Sequence, residues 1–358
     1  MAITYHSGRR IQATQADFDG TPAVSGGWKE LGRTTLGSTS DTISVTSLPD
    51  KKYYMVLSDV KASGFIIYNS RFNSDTGNNY AFRKSNNGGT DATTTSTSAI
   101  DQTDSGAQDA SFVVGYFANK SDKEKLWQGN TVENSSTGAG NAPSRVEAVG
   151  KWANTSNAVS SYQAYNSHSG DYASGSEVVV LGWDPDDTHT DNFWEELADV
   201  SLSSASDTLS SGTITAKKYL WVQTYVKATG GTVEPDSRFN NDNSGTNNVS
   251  GTYADRYSVN GGSDATGTSL NKGVRGSGVP VSAFFNDFII NNASNEKLVI
   301  RHVNYVSTAG AGTAPNRRET VGKWSNTSNQ ITNITWHDES GSSAQMDSGS
   351  FIKVWGSN

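Results

Sequence analysis

The chain repeats itself. Trp28-Lys29-Glu30-Leu31 returns as Trp194-Glu195-Glu196-Leu197, an offset of 166 residues (194 − 28). "KKYYMV" from Lys51 returns at the same offset as "KKYLWV" from Lys217. The offset is 167 at Arg71-Phe72-Asn73 against Arg238-Phe239-Asn240, and 173 at Tyr80 against Tyr253 (238 − 71, 253 − 80), so the second copy holds six extra residues there. It then settles at 172, where "EKL" at Glu124 meets "EKL" at Glu296 and "GKWANTSN" from Gly150 meets "GKWSNTSN" from Gly322. Near end-to-end self-similarity at one long period dictates two homologous domains. We set them at 28–182 and 194–358. The segment 183–193, within the Pro- and Asp-rich "WDPDDTHTDN", reads as a linker. Residues 1–27 belong to neither copy and read equally as an arm that docks on a neighbour or as a loose terminus.

Within each copy the local pattern is strands. "TISVTSL" at Thr42 alternates apolar and polar residues, and "SFVVGYF" at Ser111, "EVVVLG" at Glu177 and "KLVIRHVNYV" at Lys297 are short, β-branched and aromatic. Gly, Asn and Ser clusters separate them. No segment sustains helical apolar spacing across three turns. The expected fold is all-β, with two tandem antiparallel β-sandwiches of jelly-roll-like type.

Composition narrows the function. Hydrophobic residues make up 34% and charged residues 18%, both low, while aromatics reach 10% with nine Trp. That is a folded, surface-type β protein rather than a disordered chain. Net charge is −8 and the Lys and Arg are scattered, which argues against nucleic acid as a partner. No apolar run approaches ~18 residues, so no transmembrane helix and no membrane insertion is expected. "MAITYHSGRRIQATQAD" lacks the apolar stretch of a secretory signal.

The two copies form one internal comparison. Shared apolar positions include Phe72/Phe239, Tyr80/Tyr253, Leu126/Leu298 and Trp152/Trp324. They read as core, with exposed sugar-stacking platforms as the alternative for Trp152 and Trp324. Shared polar positions include Arg71/Arg238, Asn73/Asn240, Asp75/Asp242 and Arg83/Arg256, with Asp91/Asp264, Glu124/Glu296, Arg145/Arg317, Glu147/Glu319 and Lys151/Lys323. These are either ion pairs that fix loops, such as an Arg–Asp clamp beside the glycine turn at Asn87, or the lining of a ligand groove. The loop between Asp75 and Tyr80 tolerates six more residues in the second copy. Its tip is therefore where any ligand would differ.

Catalytic chemistry is sparse. There is no HExxH, GxSxG, P-loop or GxGxxG, and no cysteine for thiol catalysis or Cys-based zinc sites. None of His6, His168, His189, His302 and His337 recurs in the other copy. We expect no cofactor. "NSDTGNN" at Asn73 offers oxygen ligands suited to Ca²⁺, or simply an Asx/Gly turn.

"RFNSDTGNNYAFR", "NNGGTDAT", "AGAGTAPNRRE", "GKWSNTSN" and "LGWDPDDTHT" together resemble a module of structural proteins in tailed phages and archaeal viruses from aquatic environments. The resemblance implies a non-enzymatic virion surface component: a head decoration, fibre, tail appendage or capsid protein. Its partners would be copies of itself, other virion proteins and host-surface glycans. Its location would be the virion surface, extracellular after release. A carbohydrate-binding module or adhesin is the first alternative, and a glycan-degrading spike enzyme the second.

Overall fold

The computed structural model describes residues 27–104, 109–243, 251–270, 274–276, 278–341 and 345–358. The N-terminal arm, with His6, and the inserted loop tip of the second copy lie outside the described residues. Every regular element described is a strand.

The first half runs β1 (Lys29–Thr35), β2 (Thr42–Val45), β3 (Tyr53–Ser63), β4 (Tyr68–Phe72), β5 (Tyr80–Asn86) and β6 (Ala92–Thr97). It continues with β7 (Ile100–Asp101), β8 (Ala110–Ala118), β9 (Lys125–Asn134), β10 (Ser144–Trp152), β11 (Tyr162–Asn166), β12 (Asp171–Tyr172) and β13 (Glu177–Trp183). The second half runs β14 (Glu195–Ser201), β15 (Thr208–Ser210), β16 (Tyr219–Lys227), β17 (Pro235–Phe239), β18 (Tyr253–Val259) and β19 (Ala265–Leu270). It ends with β20 (Val274–Arg275), β21 (Ser282–Ile290), β22 (Lys297–Val306), β23 (Asn316–Trp324), β24 (Ile334–Asp338) and β25 (Phe351–Ser357).

Each half is a β-sandwich of one large and one small antiparallel sheet. The large sheets are ordered β1-β13-β3-β8-β9-β10-β5-β6 and β14-β25-β16-β21-β22-β23-β18-β19. The small sheets are β2-β11-β4-β7 and β15-β24-β17-β20. The orders correspond strand for strand, and bulges recur at matching places, between Glu30 and Gly32 and between Glu196 and Ala198. The hairpin before β6 turns on Asn87 and Gly88, both with positive φ (50° and 67°); Asn260 and Gly261 repeat this at 53° and 73°. Two successive left-handed residues are what a type I′ hairpin requires, hence Asn-Gly.

Each sandwich has its own core. Phe72, Trp127 and Trp152 pack with Tyr54 and Phe117 in the first, and Phe239, Phe285, Trp324 and Trp336 in the second. A third core lies between the halves. Leu57, Phe112, Val114 and Val179, on the outer face of the first large sheet, pack with Tyr219, Phe288, Leu298, Ile300 and Val321 on the outer face of the second. The result is four stacked layers: small sheet, large sheet, large sheet, small sheet.

Polar contacts lock this junction. Arg145 Nη2 stands 2.6 Å from Asp264 Oδ1, and Lys218 Nζ lies 3.2 Å from Asp59 Oδ2 and 3.0 Å from Glu177 Oε1. Asn134 Nδ2 donates to Glu296 Oε2 at 2.9 Å. The segment between the sandwiches is pinned to the first, since Asp184 Oδ1 accepts from the Lys52 amide at 2.6 Å and Lys29 pairs with Asp191 at 2.8 Å.

Candidate functional site

The duplicated polar motif resolves into scaffold. Asn73 adopts φ of 53° and its Oδ1 accepts from the amides of Ser160 (2.7 Å) and Ser161 (3.1 Å), while Nδ2 donates to Ala158 O at 2.9 Å. Asn240, at φ of 52°, does the same to Thr332, Asn333 and Gln330. A single side chain therefore staples one loop to another in each copy.

Arg71 and Asp75 do not pair with each other; the Arg–Asp contact beside the glycine turn is Arg83 with Asp91. Arg71 lies 3.5 Å over the Tyr165 ring and donates to Ser98 O at 3.0 Å. Asp75 instead accepts from the Trp152 indole at 2.7 Å, from Asn79 at 2.9 Å and from the Gly77 amide at 2.8 Å. Burial pushes its carboxyl up, but these hydrogen bonds and the nearby Arg71 charge outweigh it, and its pKa falls below the usual carboxylate value. In the second copy Asp242 accepts from Trp324 at 2.6 Å and Thr252 at 2.8 Å, and Arg238 pairs with Glu339.

The same contacts decide between two pairs of alternatives, for the tryptophans in favour of core and for the loop in favour of an Asx/Gly turn. Trp152 and Trp324 are each only 1% exposed, so neither offers a face to a sugar. Their rings lie in the cores and their N–H groups are engaged by the aspartates. The Ca²⁺ reading of "NSDTGNN" also fails, because the groups converging on Asp75 are N–H donors, the reverse of what a cation accepts.

The repeated "EKL" and "NTSN" motifs have one joint explanation that sequence reading missed. Lys125, fully buried, donates to Asn154 O (2.9 Å) and Lys123 O (3.0 Å); Lys297 donates to Asn326 O (2.8 Å) and Asn295 O (3.0 Å). Each ammonium also sits over its tryptophan, 5.4 Å from Trp152 and 5.7 Å from Trp324. Asn154 Oδ1 caps the amides of Ser156 and Asn157 at 2.9 Å, and Asn326 repeats this at 2.8 Å. Burial brings Lys297 down to about 8, against the pull of Glu296.

The remaining shared charges diverge in use. Arg83 pairs with Asp91 at 3.3 Å on the surface, whereas Arg256 reaches across the junction to Pro143 O at 2.8 Å. His302, opposite Glu147 and Glu319, has its pKa lowered by burial.

A groove of about 980 Å³ lies open on the outer face of the first large sheet. Its floor is apolar and aromatic: Trp28, Tyr53, Tyr116, Leu126, Val149 and Trp183, with Gln128 and Thr94 among them and Arg83 and Lys151 at the rim. Tyr53 stacks on Trp183 at 5.6 Å. Tyr53, Leu126 and Val149 are 45%, 61% and 52% exposed. Their counterparts Tyr219, Leu298 and Val321 are 0%, 1% and 2% exposed, covered by the first sandwich. Exposed large apolar clusters of this kind mark interaction surfaces.

No family model matches the chain. No curated protein matches it. Among solved structures it is similar to domains LG4-5 of the mouse laminin alpha1 chain, at 9% identity over 93% of this chain and 92% of that one, with a TM-score of 0.18. The translocator domain of the autotransporter NalP from Neisseria meningitidis aligns at 10% identity over 79% and 88%, with a TM-score of 0.15. At such TM-scores neither likeness bears on function.

Proposed function

We propose that this chain is a non-enzymatic structural protein that works by packing sheet faces against neighbours, and that its setting is the virion surface implied by the sequence resemblance. One observation carries the assembly reading. The part of the outer face that Tyr219, Leu298 and Val321 form in the second sandwich is buried at the junction, while the equivalent part in the first, Tyr53, Leu126 and Val149, stands open. The polar residues common to both copies support it, because they hold loops and junctions. Immunogold labelling of native particles with an antibody to this chain tests the setting. Regular decoration supports it, and label found only on free protein overturns it.

A second reading is favoured by the aromatic floor of the groove. Trp28, Tyr53, Tyr116 and Trp183 beside Gln128 and Thr94 offer the stacking and hydrogen bonding that hold a glycan. A glycan array with the wild-type chain and a Tyr53→Ala variant tests it. Saccharide binding lost in the variant supports it.

A further inference from the structure

We infer that the open face of the first sandwich is a dimer interface, closing on the same face of a second copy across a twofold axis. The inference rests on the assembly reading above and names its partner.

The argument begins from what covers the equivalent face in the second sandwich. There Tyr219, Leu298 and Val321 are buried beneath Leu57, Val114, Val132 and Val179 of the first sandwich. The face is thus one that a sheet of this module fits. The groove is also continuous with that junction, since Trp28 and Tyr116 border both.

A second copy could supply its cover from two places. One is the band of the second sandwich equivalent to Leu57, Val114, Val132 and Val179. Those positions hold Gln223, Asn286, Asn304 and Lys353 (offsets 166, 172, 172 and 174). Four aliphatic side chains have become polar, and laying them on Leu126 and Val149 would take the Gln223 and Asn286 amides and the Lys353 ammonium, with its partners Glu196 and Asp199, out of water against apolar side chains, which is costly. The other is the groove itself, with Tyr53, Leu126 and Val149 at its centre.

The rim agrees with self-complementarity. It carries both signs, with Arg83 beside Asp91 at 3.3 Å and Lys151 beside Glu124 at 2.9 Å. A twofold contact sets a surface against itself, so a rim of mixed sign can pair across the axis where a single-sign rim would repel.

The test uses the full chain. Sedimentation equilibrium of the wild type should give twice the chain mass of 38.1 kDa. Leu126→Arg and Val149→Arg should each weaken association by about 30-fold or more, the loss typical of a central interface residue. Both side chains are exposed in the single chain, so circular dichroism and the melting point of the monomeric variant should stay unchanged. Phe284→Arg, on the second sandwich, should leave the dimer intact. The native chain lacks cysteine, so Leu126→Cys gives a clean bis-maleimide probe that should link a variant copy to its twin.

A monomeric wild type at 100 µM overturns the interface while leaving the particle labelling to judge the broader function. Loss of the dimer in Phe284→Arg but not in Leu126→Arg overturns it by placing the contact elsewhere. A monomeric wild type whose tryptophan fluorescence responds to oligosaccharide assigns the groove to glycan instead.

Discussion

Arg145 of the first sandwich holds Asp264 of the second, Nη2 to Oδ1 at 2.6 Å, with Nε adding a longer contact at 3.4 Å to Oδ2. Both side chains are almost wholly buried. The equivalent of Asp264 in the first copy, Asp91, pairs with Arg83 in solvent. Duplication supplied the same residue twice, and stacking of the sandwiches made one copy structural.

The two aspartates should therefore differ sharply. Removing one partner of a buried pair typically costs about 3–5 kcal/mol, whereas an exposed pair is worth about 0–1 kcal/mol. Asp264→Ala should lower the urea midpoint strongly and Asp91→Ala barely. A double-mutant cycle of Arg145→Ala with Asp264→Ala should give coupling on the order of 1 kcal/mol or more. Equal effects of Asp264→Ala and Asp91→Ala would contradict the assignment.

Asp75 and Trp152 form the next test. Trp152→Phe keeps an aromatic in the core but removes the N–H that Asp75 accepts at 2.7 Å. Losing a hydrogen bond to a carboxylate should cost about 1–3 kcal/mol. The pKa of Asp75 is depressed in the fold, so it contributes stability above its unfolded pKa, lost as pH falls through the folded value. In Trp152→Phe the folded pKa rises toward the unfolded one, so that loss should be smaller and complete at higher pH on acid titration followed by fluorescence. An unchanged acid limb would mean the bond does little.

Much of this was legible in sequence, and the misses have physical causes. The strands, the two-fold repetition and the Asn-Gly turns follow from period-2 patterning and left-handed φ, both local properties. The stacking of the sandwiches was also written, in a signal passed over. "EVVVLG" is apolar at every step from Val178 to Leu181, as a strand buried on both faces must be, while its counterpart "FIKVWG" alternates at Lys353. The reverse holds for "KLWQ" against "KLVI", where Gln128 marks the open face. The Lys125–Asn154 staple could not be read, because it joins segments 29 residues apart through a side chain that usually stays in water. Trp152 is core, as its place among the shared apolar positions implied; the exposed alternative arose because the turn residues of "NTSN" adjoin a buried strand end.

Glu133 predicts a pH dependence of opposite sign. It is fully buried and, among the described residues, accepts only from the Asp104 amide, at 3.1 Å to each oxygen. Burial, reinforced by the charges of Asp104 and Asp101, pushes it up to about 8. The folded chain therefore holds a proton that the unfolded chain releases near pH 4.5. Its contribution is full below that value and is lost as pH rises through about 8. Asp236, raised to about 7 chiefly by burial, acts in the same direction. Glu133→Gln with Asp236→Asn should flatten the decline in melting temperature between pH 5 and 8. A decline as steep as wild type would show that other groups set it.

The two cores fill one position by different chemistry, which gives the last prediction. In the second sandwich Arg301 is fully buried, bonds Asp287 at 2.9 and 2.7 Å, and lies 4.4 Å over the Trp336 ring. The first sandwich has Gly129 and Gly115 at those two places (301 − 172, 287 − 172), and the ring of Trp127 occupies the space. A Cβ at Gly115 would approach that ring to 2.1 Å, so Gly115 admits the indole, while a Cβ at Gly129 would meet Gln102 Oε1 at 2.2 Å and the indole nitrogen at 2.7 Å. Arg301→Ala should strand the Asp287 charge and cost about 3–5 kcal/mol. Trp127→Ala should cost a similar 3–5 kcal/mol by opening a cavity, with no charge involved. The two losses separate by a second substitution. Asp287→Asn, which removes the stranded charge, should recover part of the stability lost in Arg301→Ala and none of that lost in Trp127→Ala, and simple additivity with both variants would refute the buried pair.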